Sequence, residues 1–239
     1  MRNSVQFYRA LQEFKEDDLT EISRLLAQRA GTLDRTDGRG VVIDLCSGTG
    51  RTVGLYDADK WDVVCVDHDA EALEILRRRF PYVTTVEGSI GESLDLPVAD
   101  VIICAHNSAN EIPSLEDLFG VVNRQLADDG TFFLELLIDD GPYPREFNRE
   151  FVRVVAFGDQ MWALETVVVT HADRRFHDLV LLGTRISDSI SEQINQVCHR
   201  VQRRVYSLDE IDRYVNDVGL KREPVISSRS RFILKRERR

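Results

Sequence analysis

Val41, Val42, Ile43 and Leu45 form a short apolar run, mostly β-branched, bounded by Gly40 and by Gly48 and Gly50. This pattern predicts a strand covered on both faces, as in a parallel sheet, that runs straight into a glycine turn. Further apolar runs at 61–66, 82–86, 99–104 and 131–137 predict strands two to five. Residues 51–56 predict the start of a helix, and 115–126 predict another. Ala72, Leu73, Ile75 and Leu76 form the apolar stripe of a helix that Asp69 is suited to cap. Upstream, Val5, Tyr8, Leu11, Phe14, Leu19, Ile22, Leu25 and Leu26 recur at helical spacing, which predicts one or two amphipathic helices before a polar connector at 32–40. Alternating strands and helices describe an open parallel sheet with helices on both faces.

The pattern changes after Ile138. A breaker cluster at 139–144 is followed by β-rich runs at 151–157, 161–170, 176–183 and 192–206. Trp162, Leu164, Thr166 and Val168 alternate with Ala163, Glu165, Val167 and Val169, the period of an antiparallel meander; the polar 192–206 run also permits a helix. Ser207 opens a helix that ends near Gly219. Strands near 223–226 and 231–235 follow, joined by a linker long enough for an antiparallel hairpin and too short for a crossover helix. The expected organisation is an α/β core at 40–137 and 205–239, an N-terminal helical cap at 1–39, and an inserted antiparallel sheet at 138–204 that serves as substrate lid or oligomer interface.

Charge narrows the partners. With 31 basic against 41 acidic residues the net charge is −10, the wrong sign for a protein whose main partner is a nucleic-acid backbone. No apolar run approaches membrane-spanning length, and residues 1–8 lack the apolar core of a signal peptide, so the expected location is the cytoplasm. Cys46, Cys65, Cys104 and Cys198 show no paired metal or redox spacing and read as reduced thiols. His171, His177 and His199 likewise lack metal-ligand spacing, and no metal is expected.

In an open parallel sheet, ligands lie outside the carboxyl ends of the strands. Three polar tips fall there. Ser47-Gly48-Thr49-Gly50 offers backbone amides, expected at a helix N-terminus, to an anionic group. Asp67 ends strand two with a carboxylate suited to ribose hydroxyls, and Gly88-Ser89-Ile90 ends strand three beside the expected base. Together these describe a nucleoside cofactor. A dinucleotide fingerprint requires a third glycine where Val53 stands, which disfavours an NAD(P)-dependent oxidoreductase.

Asp44-Leu45-Cys46-Ser47-Gly48-Thr49-Gly50, with Asp67, Asp129-Gly130 and the closing hairpin, resembles the class I S-adenosylmethionine-dependent methyltransferases. The resemblance covers most of 1–137 and 205–239. It implies a Rossmann-like seven-stranded methyltransferase sheet with a C-terminal antiparallel hairpin, elaborated here by the inserted meander. It also implies S-adenosylmethionine as cofactor, its methionine end held by Asp44, Cys46 and the loop amides and its ribose by Asp67. His68 and Ile90 would sandwich the adenine, Ala105 would border the cofactor, and Tyr8 would close over its carboxylate. Two positions depart from the family: Cys46 replaces the usual first glycine, and Ser89 a common Asp that contacts the adenine amino group, so Ser89 or Glu92 must supply that contact.

The implied chemistry is methyl transfer to an oxygen or nitrogen of a small-molecule acceptor, centred on the segment after strand four, residues 104–111. His106 is placed there as a base and Asn107 beside it; Asn110 is placed to hold the acceptor, with Tyr143 and Trp162 as its roof. The inserted sheet resembles that of glycine and amino-sugar N-methyltransferases in layout, and a homodimer through it is a further expectation. A non-catalytic S-adenosylmethionine-binding protein is the alternative from another class.

Overall fold

The structure is a computed structural model and describes residues 17–33, 38–139, 149–157, 160–171, 175–186, 196–223 and 230–236. The chain divides into two compact units, one within Lys15–Ile138 and Ser207–Arg239, the other including Asp139–Tyr206. The larger unit contains α1 (Asp17–Ala30), β1 (Gly40–Leu45), β2 (Trp61–Asp67), α2 (Ala70–Arg79), β3 (Thr84–Glu87), β4 (Ala99–Cys104), α3 (Leu115–Gln125), β5 (Leu126–Glu135), α4 (Leu208–Asp217), β10 (Leu220–Glu223) and β11 (Arg231–Arg236). Its seven strands lie in the order β10-β11-β5-β4-β1-β2-β3. Strands β1 to β5 are parallel, and β11 enters antiparallel beside β5 with β10 antiparallel to it. This is the expected Rossmann-like sheet with a closing hairpin.

Burial follows the apolar pattern. Every residue of β4 is buried, as are all of β1 except Val41. Ile22, Leu25 and Leu26 of α1 join Val42, Val63, Val101 and Phe133 in the core on one face of the sheet. Asp69 caps α2 by accepting from the Glu71 and Ala72 amides. Ser207 and Glu210 form a reciprocal capping box on α4, which ends ahead of Gly219 at φ 67°.

Four expectations need correction. Residues 51–56 do not begin an α-helix; a single 3-10 turn, Val53–Leu55, is all that separates the glycine turn from the loop into β2. Strand five starts at Leu126, so the turn expected at Asp128-Asp129-Gly130 lies inside it as a bulge, between the pairs Ala99↔Leu126 and Val101↔Thr131. The strand expected near 223–226 begins earlier, at Leu220 directly after Gly219, and is described over Leu220–Glu223, with 224–226 outside the described residues. Strand three begins at Thr84, not at 82.

The smaller unit is a four-stranded antiparallel sheet, β6 (Arg149–Phe157), β7 (Gln160–Thr170), β8 (Phe176–Ile186) and β9 (Gln196–Arg204), paired in chain order. The ambiguous 192–206 run is thus strand over Gln196–Arg204. Leu164 and Leu181 are buried on one face; the other face exposes Val154, Met161, Val169 and Ile186. No helix among the described residues is long and apolar enough to cross a membrane.

Candidate active site

The parallel strands end together at one edge, and β1, flanked by β2 and β4, marks the point where strand order reverses. The first tip is built on Asp44. Its buried carboxylate accepts from the Thr52 hydroxyl, and from the Tyr56 hydroxyl at 2.9 Å. Burial pushes Asp44 up to about 6, against the lowering effect of those two hydrogen bonds, and the neighbouring Asp67 charge adds to the rise. Thr52 and Tyr56 were hidden within the expected helix; their spacing from Asp44 fits the 3-10 turn that the chain adopts.

The turn itself is left-handed at Cys46, Gly48 and Gly50. At Gly48 a Cβ would meet nothing within 4 Å, so the main chain is bare and approachable there. The Cys46 thiol makes a hydrogen bond with Cys104, which together with burial pushes it well up and leaves it a packing group. Ser47 is buried, with its amide on the Val66 carbonyl.

Asp67 does more than end β2. Its Oδ2 accepts the Gly48 amide at 2.7 Å and its Oδ1 the Asp69 amide at 2.9 Å. The residue assigned to the ribose therefore also ties the glycine turn to the start of α2. His68 is exposed, with Nδ1 3.5 Å from Asp67 Oδ1. At the third tip a Cβ on Gly88 would lie 2.5 Å from Leu94 Cδ2, so a larger residue there would displace the Leu94 side chain. Glu92 Oε2 accepts the Ser89 amide at 3.0 Å, and Ile90 beside it is half-buried.

After β4, Ala105 is buried and His106 and Asn107 take left-handed φ of 60° and 59° in succession. Two consecutive non-glycine residues in that region store strain, which is characteristic of functional segments. Glu135, buried at the end of β5, holds the turn by accepting the His106 amide at 2.6 Å, and Arg231 Nε stands 3.4 Å from its other oxygen. Asn107 is buried, and its Oδ1 has no hydrogen-bond partner among the described residues. Asn110, placed by the sequence to hold the acceptor, is buried and serves the backbone: its side-chain nitrogen donates to the Leu137 carbonyl and its side-chain oxygen accepts the Leu137 amide. Sequence reasoning missed Glu135 and Arg231, although a lone carboxylate closing the apolar run Thr-Phe-Phe-Leu-Glu was a visible signal.

Residues 42–130, which contain the first three tips and the strained turn after β4, match the family model of a methyltransferase domain. Over those residues the chain is similar to a methyltransferase domain. S-adenosylmethionine is the cofactor of that family. The fold extends beyond the matched segment. DesVI of Streptomyces venezuelae superposes with a TM-score of 0.79 at 14% identity, over 99% of this chain and 98% of its own. The amino pentose methyltransferase CalS10 of Micromonospora echinaspora does so at 0.74 and 16%, over 96% and 94%. The sugar N-methyltransferase KedS8 of Streptoalloteichus does so at 0.77 and 12%, over 98% and 92%. At these identities the likeness is one of fold. No curated protein sequence matches the chain.

Tyr8 and Tyr143 lie outside the described residues. Trp162 lies in the smaller unit on β7, half-buried, its indole nitrogen without a hydrogen-bond partner among the described residues. The larger unit thus brings together Asp44, Cys46, Ser47, Gly48, Gly50, Asp67, His68, Gly88, Ser89, Ile90, Ala105, His106 and Asn107 at one sheet edge.

Asp44 also sets a pH dependence. Its folded value lies above the ordinary 3.8, so the native state holds this proton more tightly than the unfolded chain. Stability from this group is greatest below about pH 4 and falls as pH rises through about 6, by up to about 3 kcal/mol. Asp44→Asn is expected to flatten the change in melting temperature between pH 4.5 and 7.5. Parallel curves for the two proteins would refute the assignment.

Proposed function

We propose that the protein transfers a methyl group from S-adenosylmethionine to a small-molecule acceptor, with the amino nitrogen of a sugar the favoured site. The observation that carries the reading is the bare, left-handed Gly48 main chain between Asp44 and Asp67. A nucleoside cofactor can lie directly on that backbone, with Asp67 accepting from ribose hydroxyls while it retains the Gly48 amide. Ser89, Ile90 and His68 border the base, Asp44 and the turn face the cationic amino-acid end, and Ala105 lies against the cofactor. Tyr8 is assigned to the carboxylate. When bound, S-adenosylmethionine supplies an electrophilic methyl on a sulfonium centre.

The chain's own part is to align the acceptor and to take a proton. An amine is largely protonated near neutral pH and must lose that proton to expose its lone pair, a task suited to an imidazole. His106 is assigned this role, and Asn107, with a buried acceptor oxygen to offer, is assigned to the acceptor's N–H or O–H. The amino-sugar preference is supported by neighbours whose fold extends over both units and whose names specify amino pentose and sugar N-methyl transfer. Trp162 and Tyr143 are proposed to line the acceptor side, and the cytoplasm is the proposed location. Methyl transfer from labelled cofactor to a panel of aminodeoxy and hydroxy sugar nucleotides tests the reading. Product from amino sugars, reduced about 100-fold in His106→Ala with unchanged cofactor affinity, is the expected result; no product from any acceptor would favour a non-catalytic binding protein.

We further propose that two copies pair through the inserted sheet. Val154, Met161 and Ile186 are 57%, 43% and 45% exposed on one sheet face, an apolar surface of the kind that marks association. Light scattering should give a dimer, converted to monomer by Met161→Glu with Ile186→Glu. A monomeric parent protein would contradict it.

A further inference from the structure

The glycine turn lacks the α-helix that such a turn ordinarily enters, and a three-residue 3-10 turn offers no helix dipole to stabilise it. Its support comes from the side. On the β1 side, the Ser47 amide binds the Val66 carbonyl at 3.0 Å and the Gly48 amide binds Asp67. On the far side, Arg79, the last residue of α2, donates from a guanidinium nitrogen to the Thr49 carbonyl at 2.9 Å. Its guanidinium also lies 5.0 Å from the centroid of the Phe80 ring. Phe80 and Leu76 approach so closely that a Cβ on Gly50 would stand 3.1 Å from the Phe80 ring and 3.2 Å from Leu76 Cγ. The turn is therefore gripped at both ends by one continuous piece of chain, β2 and α2, which also carries Asp67.

We propose that Arg79 is a positioning residue that sets the cofactor turn from the end of α2, in place of the missing helix. The inference rests on the cofactor reading above. The Thr49–Gly50 peptide joins a buried residue to a glycine at φ 83°; its N–H donates to the Ser47 carbonyl at 2.9 Å within the turn, and its carbonyl is held from outside the turn by Arg79. Arg79 thus acts with the Ser47 and Asp67 hydrogen bonds to fix the direction of the turn's amides. The segment it braces, at Thr49–Gly50, is assigned to the amino-acid end of the cofactor, whereas the ribose and base are assigned to Asp67 and the β3 tip. Loss of the brace should therefore penalise one half of the ligand and spare the other, a split that general loosening of the fold would not produce.

Two ligands separate these cases by calorimetric titration. S-adenosylhomocysteine carries the amino-acid end, whereas 5′-methylthioadenosine has the same nucleoside without it. Arg79→Met keeps an apolar stem over Phe80 and removes the donors, and is expected to weaken S-adenosylhomocysteine about three- to tenfold, with 5′-methylthioadenosine changed less than twofold. Arg79→Lys, which restores a cationic donor, should recover most of the loss. Equal weakening of both ligands, or unchanged affinity for S-adenosylhomocysteine, would overturn the proposal. A parent protein that binds neither ligand would overturn the cofactor reading, and the brace with it.

Discussion

Asp67→Ala is expected to weaken S-adenosylhomocysteine binding by about 2 to 4 kcal/mol, on the order of 30- to 1,000-fold. The size follows from two functions in one carboxylate. Asp67 is proposed to accept from the ribose, and it also holds the Gly48 and Asp69 amides at 2.7 and 2.9 Å. Truncation strands both amides near the floor of the site and frees the glycine turn from β2. Asp67→Asn keeps one carbonyl oxygen and should fall between parent and alanine variant. Calorimetry checks the affinity and a thermal melt checks that the variants fold. A folded alanine variant with affinity within threefold of the parent would remove Asp67 from both functions.

Glu135→Ala should be the most damaging single change to stability at this edge, by about 2 to 4 kcal/mol in urea unfolding. Glu135 is buried, accepts the His106 amide, and stands beside Arg231, which also reaches Glu21 at 3.4 Å. Removing it strands an amide within a strained turn and takes one of two carboxylates from a guanidinium that burial already disfavours as an ion. Both carboxylates hold the Arg231 charge in place, which outweighs that burial. Glu135→Gln still offers an oxygen to His106 and should cost about half as much. A loss under 1 kcal/mol for the alanine variant would show that the His106–Asn107 turn is set by other contacts.

The two largest effects were unequally visible in the sequence. Asp67 was legible because a carboxylate after the run Trp-Asp-Val-Val-Cys-Val must stand at the strand tip once the sheet is parallel. Its grip on Gly48 was not, since that depends on β1 and β2 lying side by side in register, with Leu45 opposite Val66. The seven-stranded order was legible from alternating periods and a hairpin linker too short for a crossover. The missing helix after Gly50 was hidden because Arg-Thr-Val-Gly-Leu-Tyr has apolar spacing that a helix would accept. Burial of Thr52 and Tyr56 against Asp44 prevailed over that preference. The backbone hydrogen bonds of Asn110 were hidden for a related reason: an Asn in an irregular loop can serve a ligand or the backbone, and its partner Leu137 is distant in sequence. Strand Leu220–Glu223 was placed late because Leu-Lys-Arg-Glu is mostly charged; as an edge strand it buries only Leu220.

The turn after β1 and the carboxylate after β2 are proposed to form a site for S-adenosylmethionine. Calorimetric titration with S-adenosylhomocysteine, run beside NADH, tests it most directly. One-to-one binding of S-adenosylhomocysteine alone, in the micromolar range or tighter and lost in Asp67→Ala, is the expected result. A folded protein freed of carried-over ligand that binds NADH, or neither compound, would contradict the claim.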